Sequence, residues 1–251
     1  MKKKFFICTI MCMSSLAAFS QIKPVAIGIN YDKIADAGRD WKFDQGINAD
    51  YHTKRERIVL ELFYGSSSKL NMKSAIGVSA YNSELAIGRP ASQSFYKTGL
   101  TQISNLYLVL SQTALYDIVE FPNSSSFVIK ISPFVTIDYE HAIENTKKKE
   151  HGFSDLSSSE ANQWISEYGL PAVSAETKIP AGIFSLEGGL SFEAVLFKKV
   201  GVNYSFGYSH ALFGHSQMDA KFKYSGNDIQ TLNLNSKDSG ILQKIGIRYY
   251  F

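Results

Sequence analysis

Serine, histidine and carboxylate side chains near predicted strand ends are the groups in this chain that could carry out catalysis. Ser209-His210 and His215-Ser216 each place a nucleophile next to a base. A serine hydrolase needs the two side chains within hydrogen-bond reach, but neighbours on a strand point to opposite faces. The sequence therefore predicts no catalytic pair here, and we expect the protein not to be an enzyme.

A second group of potential ligands surrounds His141. Asp138 and Glu140 share one face of the predicted strand, whereas His141 lies on the other. Metal sites need ligands that converge on one point, so this pattern favours a solvated rim over a calcium or zinc site. The sequence contains no glycine-rich phosphate loop, and we expect no cofactor and no bound nucleic acid.

Charged residues instead recur at every second position of segments whose intervening residues are large and apolar. This alternation is typical of strands with one apolar face. We predict strands near residues 25–32, 41–51, 57–64, 76–80, 84–88, 106–110, 129–139, 184–196, 202–208 and 244–251, with tight turns at 53–56 and 197–199. Pro133 cannot donate to a strand ladder, which predicts a bulge or a locally unpaired position there.

The last eight residues show the alternation most clearly. Ile245, Ile247, Tyr249 and Phe251 fall on one face of the strand. The segment resembles the C-terminal β-signal of bacterial outer-membrane barrels, with Lys244, Gly246, Tyr249 and Phe251 in the four defined places of that pattern. The resemblance implies that the barrel-insertion machinery reads this strand, and that the cell is Gram-negative.

The beginning of the chain is typical of an exported protein. Three lysines precede a short apolar run, and Ala18-Phe19-Ser20 fits a small-x-small cleavage rule, so we predict a signal peptide over residues 1–20. Both cysteines, Cys8 and Cys12, fall inside it. The mature chain would then have no disulfide, and its 23 remaining basic residues would balance 23 acidic ones.

Residues 21–251 contain no apolar stretch long enough for a membrane-spanning helix, whereas strands of a membrane barrel need only about 9–11 residues. We predict a single all-β domain: a membrane-spanning, antiparallel, up-and-down barrel of about ten strands, with eight as the alternative. Surface loops are expected at about 141–178 and 213–240. Long loops on one side and short turns on the other are typical of outer-membrane barrels.

With the apolar rows facing lipid, the charged rows face the lumen. The inward charges are predicted to be Lys42, Asp44, Asp50, Arg57, Glu61, Lys130, Asp138, Glu187, Glu193, Lys244 and Arg248. Barrels of this size have interiors that side chains largely fill, and an unpaired buried charge is costly. We therefore expect an internal salt-bridge network that plugs the lumen, and a narrow polar channel is the alternative.

The function expected from these features is a structural or surface-binding role in the outer membrane. The expected partners are outer-membrane lipid and lipopolysaccharide, the insertion machinery during biogenesis, and an extracellular partner that contacts the loops. Lys147-Lys148-Lys149 is a candidate for contact with lipopolysaccharide phosphates. Three alternatives remain open: a small channel, a lipid hydrolase with a Ser–His pair at the outer rim, and a soluble periplasmic carrier of an apolar ligand.

Overall fold

Long antiparallel strands make up most of the chain. The structure is a computed structural model that describes residues 24–36, 39–42, 48–65, 69–88, 90–91, 94–95, 98–124, 127–143, 148–169, 171–224, 229–236 and 238–251. The strands are β1 (Ala26–Asp36), β2 (Arg39–Lys42), β3 (Asn48–Gly65), β4 (Leu70–Gly88), β5 (Pro90–Ala91), β6 (Ser94–Phe95), β7 (Thr98–Tyr116), β8 (Val119–Ser124), β9 (Phe127–Ala142), β10 (Lys148–Gly152), β11 (Ala172–Lys178), β12 (Gly182–Leu196), β13 (Val200–Phe213), β14 (Gln217–Lys223), β15 (Gln230–Asn235) and β16 (Gly240–Tyr250). A helix, α1, spans Ser159–Tyr168. The predicted signal peptide lies outside the described residues.

Eight of the described strands close into a barrel. Their order around the barrel is β1, β16, β13, β12, β9, β7, β4 and β3, and antiparallel pairing of β1 with β3 closes the ring. The short strand β2 pairs with β3, and β8 pairs with the lower part of β9. The predicted antiparallel barrel is therefore confirmed, with the smaller of the two expected strand numbers.

Two predicted pairs of strands are each one long strand. β3 contains both of the segments predicted at 41–51 and 57–64, except for residues before 48, and β4 contains those predicted at 76–80 and 84–88. The turn predicted at 53–56 is wrong, because alternation continues through it: Thr53 and Arg55 are buried in the lumen while Lys54 faces outward. A run of charges resembles a turn in sequence, but here every second charge has a partner inside the barrel.

The strands are staggered, so that a row of paired residues climbs the barrel. Starting at Val200, the row passes through Tyr249, Ile27, Leu62, Ser74, Gln112, Ile137 and Leu186, and it returns to β13 at His210. The shift along β13 is ten residues. At about 3.3 Å per residue and a strand tilt of about 40°, this row rises roughly 25 Å, which is about the height of the apolar band of an outer-membrane barrel.

The expected interruption at Pro133 is present. β7 pairs with β9 from Phe134 upward, and β8 pairs with β9 from Ile131 downward. Pro133 therefore lies opposite the break between these two strands, where its missing N–H leaves no ladder bond unmade. Asp117, in the break, accepts a hydrogen bond of 2.6 Å from the Ser132 hydroxyl.

The outside of the barrel is apolar and the inside is polar. Large apolar side chains of every barrel strand are exposed, including Ile29, Leu60, Ile76, Leu108, Ile137, Leu190, Phe206 and Ile247, and each is at least 37 % exposed. Polar and charged side chains at the alternate positions are buried. No described helix is long and apolar enough to cross a membrane. The distribution is the reverse of a soluble protein's and fits a barrel surrounded by lipid.

A second sheet covers the upper end of the barrel, which is the end opposite the 197–199 turn and the last residue. We call this four-stranded sheet, in the order β10, β11, β14 and β15, the lid. It is formed by the two segments predicted as long surface loops, and α1 precedes β11. Ser158 caps the N-terminus of α1 by accepting the N–H of Ala161, and Gly169 ends it with a left-handed conformation.

Candidate functional site

The lumen brings together most of the charges that the alternation predicted to face inward. Seven of them are buried in the barrel: Arg57, Glu61, Asp138, Glu187, Glu193, Lys244 and Arg248. Lys130 is partly buried near the lower end, where its ammonium lies 3.6 Å from Asp117. Asp44 lies outside the described residues, and Lys42 and Asp50 lie in strands whose side chains are not described there.

Arg57 is the centre of the network. Its guanidinium lies 2.9 Å from a carboxylate oxygen of Asp138 on β9, and it donates a hydrogen bond to Glu187 on β12. Its Nε lies 3.7 Å from Asp32 on β1. One side chain of β3 thus connects three other strands across the lumen. Lys244 of β16 completes the group by donating to the second oxygen of Glu187, at 2.8 Å.

A second group fills the lumen closer to the lower end. The Arg248 guanidinium donates to Glu193 at 2.6 Å and lies 3.5 Å from Glu61. Lys73 of β4 donates to Glu61 at 3.2 Å. The Tyr250 hydroxyl also donates to Glu193, at 2.8 Å. The Arg248 guanidinium further lies 4.3 Å above the ring of Phe63, so that charge and aromatic surface close this level together.

The opposite charges nearly balance. Among the described side chains that the barrel strands bury in the lumen, five cations (Arg55, Arg57, Lys73, Lys244 and Arg248) face six carboxylates (Asp32, Glu61, Asp138, Glu140, Glu187 and Glu193). Charges of both signs meet at every level, and no level presents a ring of one sign. An ion that moved along the lumen would have to separate these pairs.

Four members of the network were missed by the sequence analysis: Asp32, Arg55, Lys73 and Glu140. Arg55 was placed in a turn, and Glu140 in a solvated rim, although Arg55 donates to Glu140 at 2.7 Å and both are at most 2 % exposed. Asp32 alternates with the outward Ile29 and Tyr31, so that the alternation in the sequence is sufficient to identify it as an inward residue. Lys73 lies on a strand whose pattern was too weak to read.

The upper end of the lumen is closed by aromatic side chains and the lid. Tyr81, Tyr107 and Tyr51 of the barrel pack in one core with Met218 and Phe222 of the lid. The segment that returns from the lid to β16 is fastened by its buried Asp238. The carboxylate of Asp238 accepts hydrogen bonds from the Tyr81 hydroxyl at 2.7 Å and from the Ser216 N–H at 2.8 Å. The backbone carbonyl of Asp238 also accepts from Arg55 at 2.8 Å.

The outer face of the lid and α1 are polar. The Lys178 ammonium donates to Asp219 at 3.0 Å, and this exposed hydrogen bond raises the pKa of Lys178 above its usual value. Lys223 donates to Asn162 and so connects the lid to α1. Trp164 packs against Tyr168 with ring centroids 4.5 Å apart. Lys148 and Lys149 lie in β10, where their side chains are not described, and Lys147 lies outside the described residues.

Ser209, one of the serines of the two Ser–His dipeptides, accepts a hydrogen bond from Arg55 at 3.2 Å. His210 instead lies 3.3 Å from the hydroxyl of Ser239, which precedes β16 at the upper rim. Ser239 is only 2 % exposed, and its hydroxyl accepts the backbone N–H of Ala211. This hydrogen bond joins β13 to the residue before β16, just above the last paired residues of the two strands. Because the Ser239 hydroxyl is buried there, a substrate carbonyl would not reach it. Among the described residues, no group of three or more potential metal ligands forms.

The four residues of the predicted insertion signal divide between the two faces of β16. Lys244 and Gly246 face the lumen, whereas Tyr249 and Phe251 face outward and are 48 % and 77 % exposed. A Cβ at position 246 would meet the side chain of Asn30 on β1, so glycine allows this close approach. Recognition by the insertion machinery remains a prediction.

The comparisons with known proteins agree with this architecture. No family model and no curated protein matches the chain. The solved structure of the outer membrane protein OprG from Pseudomonas aeruginosa aligns with a TM-score of 0.50 and 12 % identity, covering 92 % of this chain and 97 % of that one. The Outer Membrane Protein W of Escherichia coli aligns with a TM-score of 0.36, at 13 % identity over 91 % and 99 % of the chains. The likeness to OprG shows a shared fold.

Fold, exterior and interior together define the class of protein. The chain is an outer-membrane β-barrel, with its apolar surface in lipid and its charges in the lumen. A soluble carrier of an apolar ligand would have the reverse arrangement, so that this alternative is wrong. The two long segments thus lie at one end of the barrel and the short 197–199 turn at the other, and the orientation expected for this class, with long segments outside the cell, remains a prediction.

Proposed function

We propose that this protein is a closed outer-membrane barrel with a structural and surface-binding role. The observation that carries the proposal is the network around Arg57, which connects β3 to β1, β9 and β12 across the lumen. Because the lid covers the upper end, the polar outer face of the lid is turned to the cell exterior and the lumen has no open path. Its binding partners would therefore contact the lid and α1, and lipopolysaccharide would contact the upper rim.

Conductance in planar bilayers tests the closed lumen. We expect the purified full chain to give no unitary openings at neutral pH. The matched variant carries Arg57→Ser together with Glu187→Ser, which removes one charge of each sign and shortens two side chains that meet across the lumen. This variant should conduct if it is folded, which its gel shift on heating will show. Stable openings of the wild-type protein would contradict the proposal.

A small channel is the second candidate function. The observation in its favour is a pair of buried side-chain amides, Asn30 and Asn203, that have no protein hydrogen-bond partner. Buried amides of this kind are usually satisfied by ordered water. A narrow hydrated path for small neutral solutes would account for them while the charge pairs still exclude ions. Liposome swelling with glycerol or urea would separate this channel from a closed barrel, because neutral solutes carry no current.

A further inference from the structure

One polar pair lies on the lipid-facing surface of the barrel. Ser74 of β4 and Gln112 of β7 are directly paired across the two strands. The Ser74 hydroxyl donates to the Gln112 carbonyl oxygen at 3.0 Å, and the Gln112 amide donates to the Ser74 oxygen at 2.9 Å. Both belong to the outward row, since the next members of the row on either side are Leu62 and Ile137, which are exposed apolar residues.

The pair lies near the middle of the apolar band. The row that climbs roughly 25 Å from Val200 to His210 has nine positions, and Ser74 and Gln112 are the fifth and sixth. They therefore lie about half-way up the band, at the middle of the bilayer. Other described polar side chains of this outer surface, among them Lys33, Glu56 and Gln243, lie closer to the upper boundary of the band.

Hydrocarbon cannot satisfy these groups. The two hydrogen bonds use one N–H of the Gln112 amide and part of the capacity of its carbonyl, so that one N–H and one acceptor position remain on the lipid side. Polar groups in the membrane interior are expensive and usually face another protein group. The immediate neighbours below are the small Ala114 and the unbranched Met72, which allow another surface to approach closely.

We infer that the β4–β7 face is a contact surface for a second copy of this chain. The N–H of Gln112 that Ser74 does not use can donate to the free position of the carbonyl of a second Gln112, so that two copies of this side chain can hydrogen-bond to each other. A twofold axis beside Gln112 would place the two Gln112 amides opposite each other, as in an isologous interface. The inference is independent of the role proposed for the lid and the lumen.

The size of the face indicates a weak contact. Four strands at about 4.8 Å spacing over a height of about 25 Å present roughly 480 Å² per copy, or about 960 Å² in total. This is slightly below the area of a stable interface between soluble proteins, about 1,000 Å² or more. A reversible dimer is therefore expected, and covalent trapping in the membrane is a suitable way to detect it.

Disulfide trapping tests the inference. In a full-length background with Cys8→Ala and Cys12→Ala, one variant carries Ala114→Cys, the next outward position below Gln112 on β7, so that the Gln112 amide stays in place, and the matched control carries Ile245→Cys. Ile245 is exposed at the middle of β16, on the opposite wall of the barrel. Under mild oxidation in native membranes, Ala114→Cys should give a band at twice the chain mass, and Ile245→Cys should not. Equal trapping at both positions, or a product with the mass of a different protein, would overturn the inference.

A second measurement removes the polar groups and leaves the surface otherwise intact. Copies labelled with donor and acceptor dyes on the lid are reconstituted into vesicles at increasing lipid dilution. Wild-type copies should show energy transfer that falls with dilution, and the Ser74→Ala, Gln112→Leu variant should show only the random background. Retained transfer in this variant, with a normal gel shift on heating to confirm its fold, would show that the amide does not mediate the contact.

Discussion

Arg57 shows how one side chain can hold the barrel together from the inside. It lies within 4 Å of carboxylates from β1, β9 and β12. Replacing it with alanine would leave Asp138 and Glu187 with less compensating charge in a lumen that water reaches poorly. We expect Arg57→Ala to lower the free energy of unfolding by about 3–5 kcal/mol, measured by urea titration in lipid vesicles.

Lys54 provides the control for this prediction. It neighbours the same part of β3 but faces outward, where it pairs with the exposed Glu56. Lys54→Ala should change the free energy of unfolding by no more than about 0.5 kcal/mol, because exposed ion pairs contribute little. If Arg57→Ala were as harmless as Lys54→Ala, the lumen would have to be far more hydrated than its burial indicates.

Alternation allowed much of the lumen to be predicted from sequence. It identified Arg57, Glu61 and Lys244 as inward residues because their strand neighbours are apolar. It did not show which charges meet, since the partners of Arg57 are 25 to 130 residues away. Arg55 was missed for a related reason. Only closure of the barrel brings Glu140 near it, and without that partner the charge run around Arg55 was interpreted as a turn.

The turn between β12 and β13 is strained. Phe197 and Lys198 both adopt left-handed backbone conformations, with φ of 52° and 56°. Turn positions of this backbone geometry favour glycine, because a side chain in the left-handed region costs about 1–2 kcal/mol. We expect Lys198→Gly to raise the free energy of unfolding by about 1 kcal/mol in the same urea titration.

Lys199 is the matched position for that test. It follows in the same turn, but its φ is not positive, so that glycine there relieves no strain. Lys199→Gly should leave stability unchanged or slightly reduced. If both substitutions stabilised the protein equally, the gain would come from loss of positive charge at the lower rim and would not reflect the backbone conformation.

We expect the lid to lose its packing without unfolding of the barrel. Phe222 of β14 is 1 % exposed and packs against the barrel's upper tyrosines. Phe222→Ala removes a large buried ring, for which losses of about 3–5 kcal/mol are typical. We expect this loss to appear as faster proteolysis of the lid in intact cells, with the heat-induced gel shift unchanged. Lys221→Ala, on the outer face of the same strand, should leave proteolysis unaltered.

The strands were easier to predict from the sequence than the positions at which they begin and end. Apolar alternation indicated every wall of the barrel, but two apparent interruptions, at residues 53–56 and 81–83, are continuous strand. At the second, the inward residues are Tyr81 and Ser83, which belong to the core below the lid and therefore do not follow the charged pattern. The lid itself could not be predicted, because its strands find their partners only after the barrel brings their ends together.

At the scale of the whole molecule, closure is the property that the strands share. β16 pairs with both β1 and β13, and β1 pairs with β3, so that the described ring has no free edge. A closed ring opens only when many ladder bonds break together, and its apolar exterior keeps it in detergent or lipid. We therefore expect the detergent-extracted full chain to migrate at different positions on a denaturing gel before and after boiling.

Removing one strand should abolish this behaviour. A chain that ends at residue 239 lacks β16. Without β16, the edges of β1 and β13 have no partner, and the gap between them is too wide for them to pair with each other. Identical migration before and after boiling is expected for this truncated chain, together with loss from the outer-membrane fraction. If the full chain also migrated identically, and remained in solution without detergent, the closed barrel in lipid would be refuted. A shift that survives the truncation would instead show that the remaining seven strands can close without the C-terminal one, and would remove the structural reason for assigning β16 a special role in insertion.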